Sequence, residues 1–368
     1  MKVFADKYLY ALDQLIPEDF ELETYNPDIG FPKDINRFDA LLIRTVTKLN
    51  KETLSEAGNL KFVGSATAGF DHVDVDYLNS LGIDFARSEG CNANAVGEYV
   101  LTALYRWGQL RNEKIEDLKV GVVGCGNTGG SLIGYLQKLG IEYVAYDPPK
   151  ADREKNFKSA DLNELLACDI LSFHTPLTQN GTNATYHICS KHWLDHSFKL
   201  IINASRGGVV DEKALLEAKR LGLVRDFVLD VWENEPVFSD EVANQAFLAT
   251  PHIAGYSKEA KWKASEIVVR KMVEFFGEEY SPPRQNEQPE RSGLAEPGDL
   301  SFEDFLWKNH KIDFYDQKLR KLIGLSDGKK AQKFADLRSN TPTRFEFKTV
   351  IDQYSNSDIL PEELKVFR

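Results

Sequence analysis

Short apolar runs alternate with helix-spaced segments along most of the chain. In the first 88 residues the runs are Val3 to Ala5, Ala40 to Arg44, Phe62 to Ala66 and Ile83 to Ala86. Between them, Tyr8 to Leu15, Lys51 to Ala57 and Val75 to Ser80 have helical spacing. This alternation predicts a small parallel α/β domain. In such a sheet, ligand contacts fall in loops at the carboxyl ends of strands, here Arg44-Thr45 and Thr67-Ala68-Gly69. Ordinary turn chemistry accounts for the same residues.

A longer helix follows. Asn94 is placed to cap it, and Val96, Tyr99, Val100, Ala103, Leu104 and Trp107 recur at threes and fours. Beyond it the alternation resumes. Strands are predicted at Val120 to Val123, Ile141 to Tyr146, Ile170 to Phe173, Leu200 to Ala204, Phe227 to Val231 and Phe247 to Thr250. Helices are predicted at Ser131 to Leu139, Leu162 to Leu166 and Asp211 to Arg220. These make a doubly wound nucleotide domain of about 160 residues. Ser257 begins another amphipathic helix that stops at Gly277. Residues 281–299, rich in proline and charge, are expected to be a linker or arm. Residues 300–368 carry enough aromatic and aliphatic positions, among them Phe302, Phe305, Trp307 and Leu319, to fold or dock.

The most informative stretch is Lys119 to Gly130. A β-branched run ends at Gly124, and Gly124-Cys125-Gly126-Asn127-Thr128-Gly129 fits G-x-G-x-x-G between a strand and a helix. Gly124 allows a tight turn, Gly126 admits a pyrophosphate, and Gly129 lets helix and strand pack closely. The helix N-terminus offers N–H groups to the phosphates. Asp147 ends the next strand 147 − 129 = 18 residues after the last glycine, where a ribose-binding acid is expected. Its carboxylate accepts from ribose hydroxyls and repels a 2′-phosphate, favouring NAD over NADP. Lys150 and Arg153 are the nearby cations that would admit NADP.

Composition narrows the picture. The 368 residues are 42% hydrophobic and 28% charged, an ordinary globular balance. A formal net charge of −12 argues against nucleic acid and anionic membrane as partners, so anionic ligands must be drawn by local arginines and helix ends. No stretch suggests a signal core or a membrane span, and a cytosolic location is expected. Cys91, Cys125, Cys168 and Cys189 are scattered and read as reduced, buried thiols; no metal is expected.

Three groups after predicted strands can do chemistry. Arg206 lies among small residues and can fork onto a carboxylate. Glu235 precedes Pro236, and His252 follows Pro251. A neutral imidazole can take a hydroxyl proton, and a carboxylate can fix its tautomer. Each residue also has a plain reading as a surface or turn position. His72, His174, His187, His192, His196 and His310 lack such company and read as structural.

In order and spacing, five stretches resemble the D-2-hydroxyacid dehydrogenase family: VGVVGCGNTGG with Asp147, HTPLT at 174–178, INASRGGVVDEKAL at 202–215, LDVWENEP at 229–236 and TPHIAGYS at 250–257. LLIRTVTKLN at 41–50, FVGSATAGFDHVD at 62–74, GCNANAV at 90–96 and CDILSFHTPLT at 168–178 narrow the match to a branch acting on a phosphorylated 2-hydroxy acid, 4-phospho-D-erythronate.

The resemblance implies a Rossmann-type domain (94–256), a flavodoxin-like substrate (lid) domain (1–93 and 257–280), the linker, and a C-terminal dimerisation domain (300–368) in a homodimer. It implies catalytic roles for Arg206, Glu235 and His252. It also implies NAD contacts at Gly124, Gly126, Asn127, Thr128, Gly129, Asp147, Thr175, Asp230 and Gly255. Substrate contacts are implied at Thr45 (where a serine is expected), Thr67, Arg206 and Tyr256. Arg44 and Arg344 are candidate cations for the distal phosphate. Two rival readings stand: a relative acting on 3-phosphoglycerate or hydroxypyruvate/glyoxylate, and an NAD-sensing, corepressor-like binding protein.

Overall fold

The computed structural model describes residues 1–283, 301–340, 344–353 and 361–368. They form two compact units. One is Met1–Asn92 with the segment from Lys258; the other is Ala93–Ser257 with the C-terminal segment.

The first unit holds five parallel strands: β1 (Lys2–Asp6), β2 (Glu21–Tyr25), β3 (Ala40–Ile43), β4 (Phe62–Ser65) and β5 (Asp84–Arg87). Their order is β2-β1-β3-β4-β5. Successive strand residues point to opposite faces. Val3, Ala5 and Leu42 therefore pack with Val268, Met272 and Val273 of helix Lys258–Phe275, whereas Phe4, Leu41 and Ile43 pack with Phe38 and Leu78 on the other face.

Three expectations fail locally. β2 was not predicted, because it is an edge strand of mostly polar residues with just Tyr25 buried. Lys51 to Ala57 forms turns rather than a helix. There the Asn50 side chain accepts from the Glu52 and Thr53 amides, an Asx turn that competes with helix. Tyr8 to Leu15 shrinks to one turn, Leu12–Leu15, since the Asp6 carboxylate captures the Tyr8 amide at 2.9 Å.

The second unit holds six parallel strands: β6 (Val120–Val123), β7 (Tyr143–Tyr146), β8 (Ile170–Phe173), β9 (Phe198–Asn203), β10 (Val224–Leu229) and β11 (Leu248–Ala249). The order β11-β10-β9-β8-β6-β7 reverses direction at β6, so the crevice for a nucleotide lies at the carboxyl ends of β6 and β8. Val120, Val122, Leu200 and Ile202 face helix Ala93–Arg111 and helix Asn127–Lys138; Val123, Leu171 and Ile201 face the opposite layer.

The C-terminal segment joins these cores. Phe302, Phe305, Leu306, Phe347 and Phe367 pack with Tyr99 and Trp107, while Phe334 and Leu319 extend the other face. Asn94 does not cap the helix but lies inside it, its amide donating to Glu98 and Glu346. Arg344 is likewise a structural group: buried, it binds the Glu98 carboxylate at 2.5 Å and the Ala95 carbonyl. The expected linker, 281–299, lies outside the described residues from position 284 onward. All four cysteines are free and buried. Among the described residues no helix is long and apolar enough to cross a membrane.

Candidate active site

The glycine loop has the predicted shape. Gly124 takes φ +86°, open to glycine at little cost. A Cβ on Gly129 would sit 1.9 Å from the Gly124 carbonyl, so glycine alone permits this approach of helix to strand. Around Gly126 there is open space, as a pyrophosphate needs. Asn127 and Thr128 open helix Asn127–Lys138, with their N–H groups at its N-terminus. Asp147 accepts from the Cys125 amide (2.8 Å) and the Lys150 amide (2.9 Å), which ties it to the glycine loop and caps helix Pro148–Arg153. Lys150 is turned onto the Cys125 carbonyl at 2.7 Å.

Across the switch point, β8 runs into His174 and Thr175. A Cβ on Gly124 would strike both, so the two loops abut. His174 is buried and bonded to the Ser172 hydroxyl at 2.9 Å; burial pushes its imidazole down to about 4. The Thr175 hydroxyl is buried without a partner, an orphan that a ligand hydroxyl or phosphate would satisfy. The loop, Asp147 and Thr175 thus fit a dinucleotide.

The chemistry-bearing loops leave one sheet edge together. Asn203, Leu229 and Ala249 are paired in register, and Arg206, Glu235 and His252 follow them by three, six and three residues. The Arg206 loop is pinned by Asn203, whose side chain donates to the Arg206 carbonyl (3.0 Å) and accepts from the Ser205 amide and hydroxyl. Gly207 lets this loop touch the next: a Cβ there would meet the Trp232 carbonyl at 1.8 Å. Glu235 meets His252, Oε1 lying 2.8 Å and Oε2 3.1 Å from Nδ1. Against the upward push of burial, His252 and Arg338 hold the Glu235 carboxyl below its usual range.

His252 itself has φ +57°, a strained value for a residue with a Cβ. Asp230, fully buried, holds it there: its carboxylate accepts from Thr250, Ile253 and Ala254, and its carbonyl from the His252 amide. Gly255 and Tyr256 complete that loop. Asn203, Gly207 and Asp230 show no catalytic pattern in sequence, yet they set the loops. Arg338 was missed altogether, and its Nη1 lies 3.4 Å from Glu235 Oε1.

In the first unit, Thr45 and Thr67 each lie two residues beyond the paired Ile43 and Ser65 at the ends of β3 and β4. Thr67 bonds Ser65 and the Gly69 carbonyl. Arg44 is bonded through Nε to the buried Asp6 at 2.8 Å. His187 sits against Glu233 and Asp211.

Residues 97–254 match the family model described as D-isomer specific 2-hydroxyacid dehydrogenase, NAD binding domain. An erythronate-4-phosphate dehydrogenase of Proteus mirabilis is 37% identical over 364 residues, 95% of this chain and 94% of that one. One from Bacteroides fragilis is 37% identical over 281 residues, 75% of this chain and 80% of its own. Among solved structures, a protein of Thermus thermophilus superposes with a TM-score of 0.64 at 23% identity, covering 77% of this chain and 99% of that one. The D-lactate dehydrogenase of Aquifex aeolicus, solved with NAD and lactic acid, gives 0.60 at 24%, covering 75% and 96%. Those two structures share the fold. The curated relatives, alike along most of their length, place the chain in the erythronate-4-phosphate dehydrogenase family, an NAD-dependent branch of the D-isomer specific 2-hydroxyacid dehydrogenases.

Proposed function

We propose that the chain oxidises 4-phospho-D-erythronate at C2 to (R)-3-hydroxy-2-oxo-4-phosphooxybutanoate, with NAD as acceptor, in cytosolic pyridoxal phosphate (vitamin B6) biosynthesis. The observation that carries this reading is the imidazole–carboxylate pair of His252 and Glu235 at 2.8 Å, in the unit that holds the dinucleotide loop. With Nδ1 held by Glu235, Nε2 of His252 takes the C2 hydroxyl proton. Arg206 binds the substrate carboxylate through its fork. When bound, NAD supplies the hydride acceptor. It is held by Gly124, Gly126, Asn127, Thr128, Gly129, Asp147, Thr175, Asp230 and Gly255.

Tyr256, Thr45 and Thr67 contact the substrate. Arg44 receives its phosphate. The chain works as a homodimer through its C-terminal region. Phe314 on helix Ile312–Arg320, 41% exposed, offers apolar surface for that contact.

The test is NADH formation by purified protein with 4-phosphoerythronate against 3-phosphoglycerate. A strong preference for the former is expected. Turnover of 3-phosphoglycerate alone would reassign the substrate, and NAD binding without turnover of either would favour the sensor. A monomer in sedimentation velocity would overturn the dimer.

A further inference from the structure

We propose that Arg338 is a positioning residue of this site: from helix Asp327–Asn340 it braces the Glu235 carboxylate against His252, so that the C-terminal segment completes the active site of its own chain. This rests on the proton-transfer role proposed for the Glu235–His252 pair.

Three observations converge. First, Arg338 Nη1 and His252 Nδ1 share one oxygen, Glu235 Oε1, at 3.4 and 2.8 Å. A carboxylate held from two sides cannot turn away from the ring. Second, the guanidinium reaches Tyr256, its carbon 6.0 Å from the ring centre, so one cation spans the Glu235 loop and the His252 loop. Third, two other arginines of this segment hold carboxylates that serve packing. Arg320 binds Asp316 and the carbonyls of Ala243 and Ala246, and Arg344 binds Glu98. Arg338 instead brings a partly desolvated charge, costly unless paired, to the carboxylate that orients the base.

Among the described residues, the charged and titratable groups around the pair are His252 and Glu235 themselves, Arg338 and Tyr256, and Asp230 beneath the His252 loop, with Tyr315 beyond Tyr256 and Asp230. Arg338 favours ionised Glu235, which keeps the proton-accepting pair available at lower pH.

The experiment measures full pH profiles of kcat and KM for Arg338→Gln and Arg338→Lys in the full chain, with NADH binding by fluorescence as a check on folding. For Arg338→Gln we expect kcat to fall roughly 10- to 100-fold, with KM changed less than about 3-fold. The acid limb of kcat/KM should move up by about one pH unit, and Arg338→Lys should keep it near the wild-type position. The pH dependence of His252 carbethoxylation, resolved by mass spectrometry, should move the same way and needs no substrate. It therefore separates failure of this proposal from failure of the substrate assignment. Raised KM with an unmoved acid limb would overturn the proposal and make Arg338 an anion contact. Unchanged kinetics would make it scaffold. Should Arg338→Gln not bind NADH, an acid limb displaced in the charge-keeping Arg338→Lys would overturn it.

Discussion

His252 Nδ1 lies 2.8 Å from Glu235 Oε1, although the two residues stand on different loops 17 positions apart. The contact exists because β10 and β11 are parallel neighbours whose ends are in register, and because Asp230 ties the His252 loop to the base of the Glu235 loop. Glu235→Gln removes the charge that steadies the imidazole while conserving shape. We expect kcat to fall by about 10²-fold or more, with NAD affinity unchanged. Pre-steady-state NADH formation with a deuterated C2 substrate checks it; an undiminished hydride-transfer rate would take Glu235 out of the mechanism.

Asp147 caps helix Pro148–Arg153 and ties it to the glycine loop, and it is the residue proposed to meet the cofactor ribose. Asp147→Ala should lose the cap of helix Pro148–Arg153, at a cost of about 1 kcal/mol, and relax the preference for NAD. The ratio of kcat/KM for NAD to that for NADP measures the second effect. An unaltered ratio would show that discrimination lies elsewhere.

Two glycines are fixed by close approach. Gly129→Ala forces a Cβ onto the Gly124 carbonyl, and Gly207→Ala forces one onto the Trp232 carbonyl. Neither backbone neighbour can step aside without moving its loop. Gly129→Ala should weaken NAD binding at least 10-fold. Gly207→Ala should spare NAD and lower kcat, because it parts the Arg206 loop from the Glu235 loop. Isothermal titration beside steady-state kinetics distinguishes them, and equal effects from both would contradict the assignment of separate loops to cofactor and substrate.

His310 is buried against Tyr99 and Phe347, and neither ring nitrogen finds a hydrogen-bond partner. Burial, with Arg344 nearby, drops its imidazole well below the ordinary range, so the folded protein keeps it neutral. The unfolded chain protonates it below about pH 6.5, so the folded state loses stability as pH falls through that value. His310→Leu removes both the unpartnered nitrogens and this proton linkage. We expect roughly 1 kcal/mol of stabilisation at pH 7 and a larger gain at pH 5. Thermal denaturation at both values tests it. A gap that does not widen towards pH 5 would mean the folded state protonates this ring as readily as the unfolded chain does.

Much of this was legible in the chain. The alternation of β-branched runs and helix-spaced segments predicted most of both sheets, since strand and helix periods are written in adjacent residues. The glycine loop was legible for the same reason: φ +86° at Gly124 and the cap at Asp147 depend on a few neighbours. β2 was not, because an edge strand with one buried residue has no apolar pattern to show. The helix expected at Lys51 to Ala57 lost to the Asn50 side chain, a local competitor that propensity underweights.

By itself the sequence determined the class of fold and the dinucleotide loop, and it named Arg206, Glu235 and His252 as candidates for the chemistry. Tertiary structure decided which charges meet. It buried Arg344 with Glu98, turned Arg44 onto Asp6, and carried Arg338, 103 residues away, to Glu235. The reason is physical: turns and periodicities follow from neighbouring residues, whereas the pairing of distant charges is set by packing and by the cost of removing each from water.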